Sequence, residues 1–131
     1  YFTSTRLPGV GISIGLSRLF SRMKDANLLK PLARTPAEVL VTAMDGKYLA
    51  RYIRLANELR RAGINTELYL ESKGLGKQLE YANKKGFRLA VVAGENEFGR
   101  EAAQLKNLRK QTQTEVPLPR IAEAVRAALK D

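Results

Sequence analysis

Neither cysteine nor histidine occurs in this sequence. The first absence excludes disulfides and thiol nucleophiles, the second excludes the commonest general base at neutral pH, and together they exclude zinc-finger sites. Acidic side chains are scarce: 13 Asp and Glu stand against 23 Lys and Arg, a formal net charge of +10. That imbalance favours a polyanionic partner, and nucleic acid fits it better than an acidic metabolite. No apolar run is long enough to span a bilayer, and no basic amphipathic stretch carries a bulky aromatic face, so a membrane is not the expected partner. Internal repeats and low-complexity tracts are also missing. The first residues, YFTSTRL, have neither the apolar core nor the cleavage pattern of a signal peptide. Starting at Tyr1 rather than Met, the chain reads as part of a longer protein, with the cytoplasm as the expected location.

What is present suffices for one compact domain with an appendage in 131 residues. Residues 1–23 form the appendage, in which Val10, Ile12, Ile14 and Leu16 alternate with Gly11, Ser13 and Gly15. That is the period of a strand with one apolar face and one nearly bare face, and LSRLFSRM after it turns helical. Residues 24–36, with Pro31 and Pro36 and no steady periodicity, read as a linker. Residues 37–131 then alternate regularly. EVLVTAM is a strand, and the following helix places Leu49, Ile53, Ala56 and Leu59 on one face and ends at Gly63. NTELYL is a second strand, and LGKQLEYANKKG a helix with Leu75, Leu79 and Ala82 inward and Gly86 as its stop. RLAVVAG is a third strand, apolar throughout.

Right-handed crossovers turn that β-α-β-α-β order into a mainly parallel sheet with helices on both faces. AAQLKNLRKQTQTEVPL adds a hairpin at the edge, turning near Lys110 to Thr112, and Pro119 opens a last helix with Ile121, Val125, Ala128 and Leu129 on its apolar face. The expected fold is therefore α/β: a three-layer α/β/α domain with a mixed, mainly parallel five-stranded sheet, preceded by a strand-helix element. A doubly wound, flavodoxin-like domain binding a small molecule is the alternative of a different class, and the closing hairpin argues against it. A dinucleotide fold fails, because its glycines belong at a turn and KPLARTP occupies the place of its second strand.

A strand face made of Gly11, Ser13 and Gly15 lets a planar group approach closely, and the Arg18 guanidinium one helical turn on suits an aromatic base or a phosphate. By pattern alone, close packing against a neighbouring element is the favoured explanation of the glycines. PGVGISIGLSRLF, however, resembles motif 3 of the class II aminoacyl-tRNA synthetases, with wording most like that of histidine–tRNA ligases. Ser13 stands where many of those enzymes have glycine, and Ser17 where an acidic residue often precedes the arginine. The second part, from VLVTAMDGKYLARYIRLANELRRAGINTELYL through LAVVAGENE to QLKNL, resembles the anticodon-binding domain shared by histidine, threonine, proline and glycine ligases. Two such elements in the right order are more specific than either alone.

The resemblance implies that Gly11, Ser13 and Gly15 floor the adenine side of an ATP site and that Arg18 packs on the nucleotide. It implies a homodimeric full-length enzyme that uses ATP and Mg²⁺ to attach histidine to tRNA. This stretch alone lacks the motifs that grip the α-phosphate and the histidine-recognition segments, so neither catalysis nor a cofactor is expected of it. The alternatives are a non-catalytic, synthetase-like paralogue that binds RNA for regulation, or the anticodon-binding domain of a threonine, proline or glycine ligase. Anticodon contacts are expected from three places, of which the first two follow strand carboxyl ends. ESKGLGKQ offers Ser72, Lys73, Lys77 and Gln78 to the loop backbone, GENEFGRE offers Glu97 as an acceptor, and QLKN offers Lys106 and Asn107 to base edges or phosphate. Arg51, Arg54, Arg60 and Arg61 are assigned to solvation and long-range attraction, and Tyr48, Tyr52, Tyr69 and Tyr81 mainly to the core.

Overall fold

The structure, a computed structural model, describes residues 8–29, 35–71 and 73–130. The chain divides into two compact units, Tyr1–Leu32 and Ala33–Asp131.

In the first unit, α1 spans Leu16–Asp25 with Gly15 at its N-cap. The backbone before it, expected as a strand, is irregular from Pro8 through Gly15. Its apolar side chains are open, Val10 to 95 % and Ile12 to 87 %. Period-two alternation specifies a face but not a partner, and strand backbone stays irregular where no neighbouring ladder takes up its N–H and C=O groups. Lys24 and Asp25, read as the start of the linker, close α1.

The second unit holds β1 (Val39–Val41), α2 (Leu49–Arg61), β2 (Thr66–Leu68), α3 (Leu75–Lys85) and β3 (Leu89–Val92). It continues through α4 (Glu95–Gly99), β4 (Ala102–Asn107), β5 (Thr112–Pro117) and α5 (Ile121–Lys130). Strand order is β2-β1-β3-β4-β5. β1 pairs in parallel with β2 and β3, while β4 pairs antiparallel with β3 and β5, so β4 alone runs against the other four.

The sheet is covered on both faces. Val39, Val41, Leu89, Val91, Ala103, Leu105 and Val116 point to one side and pack with Tyr52, Leu55, Ala56 and Leu59 of α2 and Ile121 and Val125 of α5. Leu40, on the opposite face, packs with Tyr69, Phe87 and Ala82 of α3. The inward stripe of α2 is therefore rotated from the expected one: Tyr52 and Leu55 are buried, whereas Leu49 and Ile53 are each 41 % exposed. The docking of the helix on the sheet chooses between two overlapping apolar stripes that periodicity leaves nearly equal. In α3, Gln78 and Ala82 are the buried residues, with Leu75 and Leu79 half-buried at the rim.

Both expected helix stops adopt the left-handed conformation that a Cβ disfavours, Gly63 at φ 77 and Gly86 at φ 86. The hairpin turns over residues 108–111, slightly earlier than expected, with Gln111 at φ 54.

Candidate nucleic-acid interface

Three loops meet at the carboxyl ends of β1, β2 and β3, and two buried side chains fasten them together. The Tyr52 hydroxyl donates to the Ala93 carbonyl at 3.0 Å and accepts from the Met44 N–H at 3.3 Å, which ties the loop after β1 to the loop after β3. The Gln78 carboxamide accepts from the Ala43 N–H at 3.0 Å and donates to the Ala43 and Lys73 carbonyls at 2.8 and 2.7 Å. It thereby ties the loop after β1 to the loop after β2. Thr42 adds a hydroxyl bond to the Val91 carbonyl at 3.2 Å. Every buried polar side chain among the described residues has a partner, so this edge is preorganised.

Between the first two loops lies a cavity of about 550 Å³ lined by Met44, Asp45, Leu49, Leu70, Glu71 and Lys73. Lys73 pairs with Glu71 at 2.5 Å, and this hydrogen bond holds the lysine above its ordinary pKa and the glutamate below. Asp45 accepts from the Lys47 N–H at 2.9 Å, and the Lys47 ammonium lies 3.1 Å from Glu95. The third loop continues into α4, a helix of five residues in a segment that reads from sequence as loop. Glu97 caps it by accepting from the Gly94 N–H at 2.9 Å, and Phe98 anchors it between the rings of Tyr48 and Tyr52, at 5.2 and 5.3 Å.

Beyond α4 the hairpin presents a polar surface. Because Ala103, Leu105 and Val116 face the α2 and α5 side, Gln104, Lys106, Gln113 and Glu115 face the other way. There Gln104 sits opposite Glu115 and Lys106 opposite Gln113. Gln104 and Lys106 are half-buried, and Gln113 and Glu115 are exposed. Polar side chains on a sheet face, beside a preorganised loop edge, suit single-stranded nucleic acid, whose bases can lie on the sheet with their edges open to hydrogen bonding.

The Anticodon binding domain family matches residues 38–128. The chain belongs to that family.

The chain is 39% identical over 130 residues to the histidine–tRNA ligase of Xylella fastidiosa, covering 99% of this chain and 28% of the relative. It is 40% identical over 128 residues to the ligase of the same name from Nostoc sp. PCC 7120, covering 98% and 28%. The crystal structure of histidyl-tRNA synthetase from Nostoc sp. PCC 7120 superposes with a TM-score of 0.74 at 38% identity, over 88% of this chain and 28% of that one. The chain thus spans little more than a quarter of the length of these relatives.

Within the anticodon-binding domain, the expected contact residues separate by environment. Lys73, Lys77 and Glu97 lie at the carboxyl edge, with Lys77 exposed in the first turn of α3. Lys106 is on the open face of the hairpin. Gln78 is a correction: it is 0 % exposed with both amide N–H groups and the amide oxygen bonded to backbone, so it holds the loops and has no surface for RNA. Asn107 is another. Its Oδ1 accepts from the Arg109 and Lys110 N–H groups at 3.1 and 2.9 Å, and so builds the hairpin turn at the opposite end of β4. Ser72 lies outside the described residues. Sequence reasoning passes over Gln104 and Gln113; the alternation of QLKN with TQTEV carries their signal once strand register is known.

Two arginines assigned to solvation also have structural partners. Arg51 bonds the Phe98 carbonyl at 3.2 Å, pairs with Glu101 and stacks 4.3 Å from the Phe98 ring centroid. Arg60 bonds the Thr66 carbonyl at 3.0 Å. Tyr52 and Tyr69 are buried, as expected of core tyrosines.

In the first unit, Gly11, Ser13, Gly15 and Arg18 are all exposed. A Cβ on Gly11 would meet nothing within 4 Å, and one on Gly15 only the Arg18 Cβ at 3.8 Å. These residues alone do not enclose a nucleotide. Among the described residues no group of three or more acidic side chains could hold a metal ion, and no helix is long and apolar enough to cross a membrane.

Proposed function

We propose that this chain binds the anticodon loop of a tRNA as the anticodon-binding part of a histidine–tRNA ligase. The observation that carries the reading is the polar hairpin face running into the preorganised carboxyl edge, within a domain of the anticodon-binding family. Lys73 and Lys77 contact loop phosphates, with Lys73 exchanging its carboxylate partner Glu71 for RNA. The Glu97 carboxylate, fixed by its bond to the Gly94 N–H, accepts from a base amino group. Lys106 reads a base edge or a phosphate beside it.

The full-length enzyme, in this reading, is a homodimer that attaches histidine to its tRNA in the cytoplasm with ATP and Mg²⁺. Gly11, Ser13, Gly15 and Arg18 belong to its nucleotide side, where the open space over Gly11 and Gly15 admits the flat face of an adenine. The first residues, through the end of α1 at Asp25, then belong to the catalytic domain and 37–131 to the anticodon-binding domain, with the linker between them.

The test is binding of this chain to histidine tRNA and to the same tRNA with its anticodon replaced, each at low and moderate salt. Substantial weakening on replacement at both salts supports base reading. Equal binding that vanishes as salt rises leaves only the +10 charge at work and overturns the proposal.

A further inference from the structure

On the open face of the hairpin, four side chains form a continuous chain of hydrogen bonds and ion pairs. Arg100 lies 3.1 Å from the Glu115 carboxylate. Gln104 donates through Nε2 to Glu115 at 2.8 Å, and Gln113 donates through Nε2 to the Gln104 Oε1 at 3.3 Å. A carboxylate only accepts, so the contact with Glu115 determines which end of the Gln104 amide is nitrogen. Gln113 then engages the oxygen, so the amide is held at both ends.

Together the bonds to Glu115 and from Gln113 use half of what the Gln104 amide offers. One N–H and one oxygen lone pair remain beyond them, both in the amide plane, on a residue that is only half-buried. A donor and an acceptor in one plane match the paired acceptor and donor on a nucleobase edge, the pattern by which Asn and Gln read adenine bidentately. An unrestrained glutamine would flip and read either polarity; here Glu115 and Arg100 fix one.

We infer that Gln104 is a base-reading residue of this domain and that Glu115, itself held by Arg100, is the positioning residue that sets its hydrogen-bond polarity. This inference rests on the anticodon-binding reading. It goes further in naming the residue that sets a reader's polarity, and in giving a neutral side chain of the hairpin face a selectivity that charge cannot supply.

The experiment compares Gln104→Ala, Gln104→Glu, Glu115→Ala and Glu115→Gln in the full 131-residue chain. Each is titrated with histidine tRNA and with versions carrying single anticodon substitutions, across a salt series. Gln104→Ala is expected to lose roughly tenfold in affinity for the native anticodon and most of the discrimination at one position, with an unchanged salt slope. Glu115→Ala should lower discrimination at the same position, and the double variant should lose little more than Gln104→Ala alone. Gln104→Glu, which keeps acceptors and removes the donor, should change which base is preferred there. Glu115→Gln, able to turn an acceptor toward Gln104, should weaken discrimination less than Glu115→Ala. Circular dichroism melts verify that each variant is folded. If wild type discriminates between anticodons and Gln104→Ala discriminates equally well, this inference is overturned and the functional reading stands. If wild type binds all of these tRNAs equally, both fall together.

Discussion

Gln78 illustrates how burial reassigns a residue. Placed after a strand in a polar loop-to-helix junction, it reads as an RNA contact, because nothing in ESKGLGKQ distinguishes a glutamine facing solvent from one facing inward. Its three bonds to backbone groups make it a strut between two loops. Gln78→Ala strands the Ala43 and Lys73 groups without partners and should cost about 3 kcal/mol of stability, read as an earlier urea midpoint. Tyr81 supplies a pH-dependent case. Its hydroxyl donates to Glu67 at 2.6 Å, and that bond, aided by burial, pushes its pKa up to about 12. A raised folded-state pKa means the contribution is fully present below the ordinary tyrosine value, near 10, and is lost as pH rises through about 12. Alkaline absorbance titration should therefore show a late-ionising tyrosine that Tyr81→Phe removes. The stability gap between wild type and Tyr81→Phe should close over the same interval; a gap independent of pH would rule out this hydrogen bond as its source.

At the scale of elements, most of the second unit is legible. The β-α-β-α-β order, the two glycine stops and the closing hairpin all follow from local patterns that tertiary packing does not overturn. Gly86 shows why: with φ at 86, an added Cβ is strained whatever space surrounds it. Gly86→Ala should destabilise by about 1 kcal/mol, while an exposed mid-helix change such as Glu80→Ala should leave the melting temperature nearly unmoved. Other elements are illegible for physical reasons. Five-residue α4 is shorter than the window in which helical periodicity can be recognised, and its Glu97 cap reads as a loop carboxylate. The expected strand over residues 10–16 has the right alternation without a partner ladder. The turn-building task of Asn107 is hidden for the same reason, since strand register, which places it beside the turn, is a pairing property. Asn107→Ala should accordingly lower stability by about 1 kcal/mol through loss of the turn bonds. An unchanged preference among anticodons would confine Asn107 to the turn, and a changed preference would place it in the interface as well.

Across the whole molecule, charge and shape do different work. A net charge of +10 attracts any RNA, and because counterion release governs that attraction, affinity for every tRNA should fall with salt along parallel lines. The ratio between native and replaced anticodon should stay nearly constant, since hydrogen bonds to base edges release few ions. Lines that converge as salt rises would mean that the apparent selectivity is electrostatic. In the proposed complex the RNA lies on one particular surface, formed by the carboxyl edge and the open hairpin face, and the α2 and α5 side stays unused despite its arginines. Amide chemical-shift mapping of this chain with an anticodon stem-loop of histidine tRNA tests that placement most directly. The largest shifts are expected at Lys73, Lys77, Glu97, Gln104, Lys106 and Gln113, with little change at Arg61, Arg120 and Arg126. Shifts concentrated on those three arginines, with the hairpin face silent, would contradict it.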